Sequence, residues 1–215
     1  MSKQPALPPI EMFLPDETVA MVKKYGADIP DDLAFEQEMT ILFSDMRGFT
    51  EMAESFSPRD VYASINASIA IQTRAVHAHG GSVNKFLGDG LLACFSGRNK
   101  SERALDCTCE MLTTLPAREG ELLPCQVGFG LHCGHVLFGL LGDSRRREFT
   151  VIGDVANTAA RLCGVAEPFQ ALITADVAGD IPPRLREQRC RYLSSRTFKG
   201  KKAPMDIYEI TPTDF

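Results

Sequence analysis

The sequence predicts an α+β domain with a ferredoxin-like β-α-β-β-α-β core and a C-terminal α/β extension. Three observations carry that prediction. Apolar runs of strand length alternate with two amphipathic, helix-length stretches between residues 38 and 134. Two of the strand runs, 82–87 and 91–95, are separated only by Gly88-Asp89-Gly90, a hairpin signal. The chain has 215 residues, enough for one good core and short for two.

Taken in order, residues 1–37 read as a leader. Pro5, Pro8 and Pro9 make its start extended. Residues 15–26 read as a short helix, with acids at the front, lysines at the back and Gly26 as its stop. That helix is either a packing arm or a connector that orients two protomers. Residues 39–45 form a buried strand. Ser57 caps the next helix, with Pro58 in its first turn and Asp60 at its positive end. Val61, Ile65, Ile69 and Val76 continue its apolar stripe until Gly80-Gly81. Residues 101–115 give a second helix. Residues 126–133 alternate, with Val127, Phe129, Leu131 and Cys133 on one face. "HVLFGLLG" and "REFTVIG" form a further strand pair around an arginine-rich turn. Asp154–Val165 is a helix, and the rest to Ile210 is an α/β tail ending in a hairpin. The expected division is a leader (1–37), a catalytic domain (38–211) and a tail (212–215).

Hydrophobic residues make up 44% and charged residues 24% of the chain, ordinary for a globular domain. A net charge of −5 argues against a generic nucleic-acid binder. The seven cysteines are odd in number and scattered. Cys107 and Cys109 fall on different faces of one helix, which suits neither a zinc site nor a disulfide framework. Reduced thiols and a cytoplasmic location follow. "MSKQPALPP" has no apolar stretch of the kind a signal peptide carries, and no run reaches the roughly 20 apolar residues of a membrane helix. No transmembrane segment is therefore expected in this chain.

Two acids stand out. "TILFSDMRGFT" ends an apolar strand in Asp45, and "VNKFLGDGLLACF" sets Asp89 between two glycines. Taken singly, each reads as a helix cap or a turn. In this topology, however, the first strand and the hairpin are neighbours, so both carboxylates can face one spot. Two such groups repel unless a proton or a cation lies between them. Hard oxygen donors suit Mg²⁺ or Mn²⁺, and Mg²⁺ takes its remaining ligands from phosphate and water. Gly48 then allows a tight turn whose following N–H groups can face phosphate. Together these features point to metal-assisted phosphoryl chemistry.

"ILFSDMRGFT", "VNKFLGDGLLACF" and "FTVIGDVANTAARL" resemble, in order and at fitting distances, the catalytic domain of class III nucleotidyl cyclases, whose fold is polymerase-palm-like. The resemblance covers about residues 38–211. It implies that Asp45 and Asp89, with the carbonyl of Met46, hold two Mg²⁺ or Mn²⁺ ions. Gly48, Phe49 and Thr50 would receive phosphate. Asn157 and Arg161 match the family's transition-state pair, and their spacing of four puts them on one helical face. Lys199, in "TFKGKK", matches a lysine that contacts the terminal phosphates.

Two positions would read the base. Lys85 matches the lysine of adenylyl cyclases, which donates to a ring nitrogen that accepts in adenine and carries hydrogen in guanine. Guanylyl cyclases of this kind place glutamate there. Thr150 stands where many adenylyl cyclases have aspartate and guanylyl cyclases tend to have cysteine. Threonine marks a largely microbial subgroup that includes bicarbonate-responsive cyclases, so bicarbonate regulation is a hypothesis from Thr150 alone. The resemblance also implies a head-to-tail homodimer, with acids from one protomer and the other residues from its partner. The implied activity is adenylate cyclase. A guanylate cyclase and a non-catalytic nucleotide-binding module are the alternatives. The histidine pairs His132/His135 and His77/His79 lack metal-ligand company, and Arg145-Arg146-Arg147 reads as a solvated turn near a dimer interface.

Overall fold

The computed structural model describes residues 13–26, 28–118, 123, 126–143, 145–201 and 203–212. Pro5, Pro8 and Pro9 of the leader, and most of the expected tail, lie outside them. The leader helix is α1 (Asp16–Tyr25), and Gly26, at φ 61, donates its N–H to Val22 as the stop. Met21 packs α1 against the body of the domain, and Ser82 Oγ donates to Glu17.

One sheet organises the chain. It contains β1 (Ala34–Arg47), β2 (Ser82–Phe86), β3 (Leu91–Ser96), β4 (Gln126–Gly142), β5 (Arg147–Ile152), β6 (Ala171–Thr174), β7 (Cys190–Arg196) and β8 (Met205–Ile210). The order is β2-β3-β1-β4-β6-β8-β7, with β5 pairing to the second half of β4. All pairings are antiparallel except β4 with β6. The helices between strands are α2 (Phe49–Ser55), α3 (Pro58–Ala78), α4 (Lys100–Ala117), α5 (Asp154–Val165), α6 (Ala175–Asp180) and α7 (Pro183–Arg189). The expected β-α-β-β-α-β core is β1-α3-β2-β3-α4-β4. Ser57 caps α3 as the sequence suggests, its Oγ accepting from the Asp60 N–H at 3.2 Å.

Two sequence expectations are corrected. The strand over 126–133 and the one at "HVLFGLLG" are a single strand, β4. The reason is β1, whose register runs unbroken from Arg47↔Gln126 to Ala34↔Gly139 and carries the ladder through Gly134. β1 itself starts five residues before the run expected at 39–45. Residues 34–38 pair only with β4, whereas Met39–Ser44 lie between β3 and β4. The polar Glu36, Gln37 and Glu38 thus belong to a one-sided strand end that an apolar run does not reveal.

The core lies on both faces of the sheet. On one, α3, α4 and α6 cover Leu42, Phe95, Phe129 and Leu131 with Leu105, Met111 and Val177. On the other, α5 and β5 bury Ile41, Val136, Phe138, Phe149 and Ala159. Phe138 and Phe149 stack at 5.7 Å, and each fully buried ring contributes about 1.5–3 kcal/mol. The C-terminal extension therefore supplies a helix to the face that the bare core motif leaves open. Gly130 makes this possible, because a Cβ there would lie 2.2 Å from the Cys163 nitrogen and 2.3 Å from the Ala159 carbonyl oxygen. α5 rests directly on the backbone of β4.

Candidate active site

Asp45 and Asp89 are brought together by a glycine. β1 ends at Arg47, and the β2–β3 hairpin folds onto it so closely that a Cβ at Gly90 would sit 2.0 Å from the Ser44 carbonyl oxygen. The Leu91 N–H donates to Ser44 Oγ at 3.0 Å and fixes that approach. Asp89 is half-buried. Burial, then the charge of Asp45, raises its pKa above the ordinary carboxylate value, against N–H groups of Asp89 and Met46 that hold it down. These are two carboxylates sharing one spot. Arg47 Nη2 donates to Asp45 Oδ2 at 2.8 Å and approaches Cys163 Sγ at 3.8 Å, which ties the acids to the last turn of α5. Arg47 Nε is buried without a hydrogen-bond partner.

Past Arg47 the chain turns through Gly48, at φ 70, into α2. Phe49, Thr50 and Glu51 open that helix, where N–H groups have no intrahelical acceptor. The sequence suggested a turn here, and the structure adds the helix.

A second group gathers around β5. Lys85 Nζ donates to Thr150 Oγ1 at 2.8 Å and to Glu148 Oε1 at 2.5 Å. Asn84, buried beside Lys85, donates through its amide to the Phe149 carbonyl at 3.2 Å and locks β2 to β5. Lys85, Glu148 and Thr150 line a cavity of about 420 Å³ with Leu141 and Arg146. Thr150 is buried, and its hydroxyl accepts from Lys85 at the wall of that cavity.

α5 follows β5 directly. Its buried side carries Val155, Ala156, Ala159 and Leu162, while Asn157 is exposed and Arg161 half-buried. Arg161 Nη1 is buried without a hydrogen-bond partner. The turn between β7 and β8 lies against it, with the Cβ position of Gly200 3.5 Å from Arg161 Nη2. Lys201 Nζ pairs with Asp154 and fastens that turn to the start of α5, leaving Lys199 exposed. Hydrogen bonding from Lys201 holds the Asp154 carboxyl below its ordinary value.

The sequence-identified residues thus fall into two sets. Asp45, Met46 and Asp89 form one, with the turn at Gly48, Phe49 and Thr50. Lys85 and Thr150, then Asn157, Arg161 and the Lys199 turn along α5, form the other. Among the described residues no hydrogen bond or ion pair joins the acids to the second set. Sequence reasoning missed Glu148, Arg47 and Lys201. Glu148 had a readable signal, because it stands two residues before Thr150 and shares its face of the strand. Three of the four histidines have ordinary partners: His132 with Thr174, His77 with Asp16 and His79 with Glu110. Six cysteines among the described residues are free thiols.

As for cations, the described residues contain no group of three or more metal-ligating side chains. The acids offer two carboxylates and a backbone carbonyl, all hard oxygen donors. That set fits Mg²⁺ or Mn²⁺, which fill the remaining positions with water and phosphate. None of the helices among the described residues is long and apolar enough to cross a membrane.

A ferredoxin-like core with paired acids at a strand end and a polar helix face beside an open pocket lined by Lys85 and Thr150 defines a nucleotidyl cyclase type of domain. Residues 34–211 match the adenylate and guanylate cyclase catalytic domain, and the chain belongs to that family. An adenylate cyclase of Anabaena cylindrica is 30% identical over 213 residues, covering 93% of this chain and 42% of that protein. The chain therefore spans less than half the length of that relative. The adenylyl cyclase CyaB from P. aeruginosa shares the fold at TM-score 0.76 and 22% identity, over 85% of this chain and 97% of that one. The guanylyl cyclase Cya2 gives TM-score 0.74 at 27% identity, over 82% and 93%.

Proposed function

We propose that this domain is an adenylate cyclase of the threonine subgroup, converting ATP to 3′,5′-cyclic AMP and pyrophosphate at sites shared across a head-to-tail homodimer. The observation that carries the base assignment is Lys85, held with Thr150 on the wall of one cavity. An ammonium donates to adenine N1 and meets a hydrogen on guanine N1. The Thr150 hydroxyl accepts from the adenine amino group.

Asp45, Asp89 and the Met46 carbonyl hold the divalent ions in this reading. When bound, two such ions lower the pKa of the ribose 3′-hydroxyl and neutralise the departing pyrophosphate. Asn157 orients the ribose. Arg161, one of whose guanidinium nitrogens lacks a hydrogen-bond partner, meets the α-phosphate, where charge builds as the 3′-oxygen attacks in line. Lys199 and the N–H groups of Phe49 and Thr50 receive the remaining phosphates. Residues 38–211 are the catalytic unit, the leader is its approach, and the location is cytoplasmic.

The dimer is supported by the lack, among the described residues, of any hydrogen bond or ion pair between the two sets within one protomer. A head-to-tail pair on a two-fold axis makes two equivalent composite sites. The first test is product formation from ATP and from GTP, with Mg²⁺ or Mn²⁺, by wild type and Asp45→Ala. Cyclic AMP from wild type alone is expected; nucleotide binding without any cyclic product would leave a binding module. Mixing Asp45→Ala with Arg161→Ala tests the sharing. Heterodimers carry one intact site, so about one quarter of wild-type activity should return. No recovery on mixing sinks the shared site. Bicarbonate stimulation is tested at fixed pH, and an unchanged rate removes it.

A further inference from the structure

The leader helix leaves a cleft where it crosses the domain. No residue of α1 is fully buried, and polar contacts hold the helix in place: Ser82 Oγ donates to Glu17, and His77 meets Asp16 at 3.1 Å. Between α1, α3, β2 and the β4–β5 turn lies a space of about 690 Å³, within the range that small-molecule sites occupy. Phe13, Leu14, Thr18, Thr73 and His77 line it and take no part in the smaller cavity beside Thr150. Lys85, Arg146 and Glu148 form the wall that the two share. We propose that this cleft is a second ligand site, for a small aromatic anion that carries a hydrogen-bond donor, and that its occupant is sensed at Lys85. The site stands on its own geometry; the link to Lys85 rests on the base pocket of the proposed function.

Three features of the lining select that chemistry. The first is a set of unanswered polar atoms: Thr18 Oγ1, Thr73 Oγ1 and Asn84 Oδ1 are buried without a hydrogen-bond partner. Asn84 is 1% exposed, and its amide nitrogen is committed to the Phe149 carbonyl, so what it still offers is an acceptor. Buried polar atoms in native proteins are paired, and orphans gathered along one cleft mark where a ligand's donor belongs. The second feature is apolar surface, from Leu14, Val83 and the exposed rings of Phe13 and Phe86. Residues 83–86 are consecutive and all line the cleft, because β2 is an edge strand and the cleft opens along its free edge. The third is charge. Lys85 is paired with Glu148, Arg147 with Asp31 and His77 with Asp16. Among the described residues, Arg146 is the lining cation that has no ion pair. A flat apolar ligand with a donor for Asn84 and an anionic group for Arg146 answers all three.

The test uses the full chain and two fluorescent probes. One is 8-anilinonaphthalene-1-sulfonate, which has aromatic rings, an N–H and a sulfonate. The other is N-phenyl-1-naphthylamine, the same molecule without the sulfonate. Saturable binding of the sulfonate at a single class of site is expected, with the uncharged probe about tenfold weaker, the worth of one charge-assisted hydrogen bond. Arg146→Gln should remove that difference and leave the uncharged probe unaffected. Leu14→Asp should weaken both probes. N-methylation of the sulfonate probe, which deletes its N–H, should weaken it about threefold or more. Leu14 and Arg146 are exposed, so neither exchange threatens the fold. No saturable binding, equal affinities for the charged and uncharged probes, an N-methyl probe that binds as well, or Leu14→Asp without effect overturns the site. Saturating 3′-deoxy-ATP, which lacks the attacking hydroxyl, should shift the Kd of the sulfonate probe in Mn²⁺ by about fivefold or more and leave the probe bound. An unmoved Kd overturns the link to Lys85, and complete displacement places the probe in the nucleotide cavity and overturns the site. A chain that binds the probe and no nucleotide removes the proposed function and leaves the cleft in place.

Discussion

Replacing Gly90 by alanine should uncouple the two acids while leaving both in the chain. The added Cβ would meet the Ser44 carbonyl oxygen at 2.0 Å, the Ser44 carbonyl carbon at 2.8 Å and the Asp45 Cα at 3.0 Å. These are backbone atoms of a strand paired on both edges, so β1 cannot yield and the hairpin must lift. Reaching ordinary contact needs about 1.4 Å of movement, which also stretches the Leu91–Ser44 hydrogen bond. Overpacking of this kind costs about 1–3 kcal/mol, a fall in Tm of about 2–12 °C for a chain of this length. A misplacement of about 1 Å in a catalytic group lowers turnover on the order of 100-fold. Gly88 is the control in the same turn. It sits at φ +84 with nothing within 4 Å of its Cβ position, so Gly88→Ala carries backbone strain of about 1–2 kcal/mol and no collision. The assay is Mn²⁺-dependent cyclic AMP formation beside thermal unfolding. Comparable losses of Tm with a far larger loss of activity in Gly90→Ala are expected. Activity in Gly90→Ala within about threefold of Gly88→Ala would refute the claim that this close approach positions Asp89.

Three further outcomes follow from the same geometry. Asp89 is held above its ordinary pKa by burial and by Asp45, so the folded state keeps its proton to higher pH than the unfolded chain. Its ionisation therefore opposes folding increasingly as pH rises from the ordinary carboxylate value, and in full above the raised one. Asp89→Asn should unfold at or above the wild-type temperature in chelator and lose the stabilisation that Mn²⁺ gives wild type, about 2.7 kcal/mol at 100 times Kd; a destabilised variant that still responds to Mn²⁺ contradicts this. Arg161→Ala should lower kcat by about 100- to 1,000-fold with little change in Tm, the loss expected for one donor aimed at developing charge; an unchanged kcat rejects its role. Burial lowers the pKa of His132 below 6.5, with Asp176 opposing, so the unfolded chain takes up its proton first. Stability from this residue is complete above pH 6.5 and is lost as pH falls toward the folded pKa. Urea unfolding at pH 7.5 and 5.5 should show a smaller acid loss in His132→Gln, and an equal loss assigns the effect elsewhere.

Legibility in the sequence followed the physics that each element obeys. The α3 start was readable because Ser57, Pro58 and Asp60 act within one turn, and α5 because its apolar spacing and flanking glycine are local. The hairpin was readable because two glycines flank one acid. What stayed hidden depended on partners distant in sequence. The unity of β4 is imposed by β1, some ninety residues earlier, and a glycine at 134 reads locally as a break. The polar start of β1 is a strand only because β4 pairs with it. Asp45 and Asp89 could be singled out as candidates, but the raised pKa that reports their proximity required Gly90 to be seen against Ser44. Lys85 and Thr150 were identified by resemblance, whereas Glu148 is a property of strand pairing that period-two alternation alone would have flagged.

The distribution of paired charges explains how the domain holds so many charged groups near one another. Asp45 is met by Arg47, Lys85 by Glu148 and Asp154 by Lys201. Each set of residues thus carries ion pairs of its own. These pairs are partly exposed and contribute little stability singly, and a nucleotide or a cation can exchange with them at small cost. Buried groups without partners are different, because each leaves a desolvated donor unanswered. Among the described residues, the buried guanidinium nitrogens in that condition belong to Arg47, beside the acids, and to Arg161, on α5. Every other basic site residue either has an internal partner or, like Lys199, reaches solvent. A buried N–H without an acceptor is satisfied when an anion arrives. On the proposed reading an arriving phosphate would give Arg161 the acceptor it lacks, which is the preorganisation that a charge-stabilising contact requires.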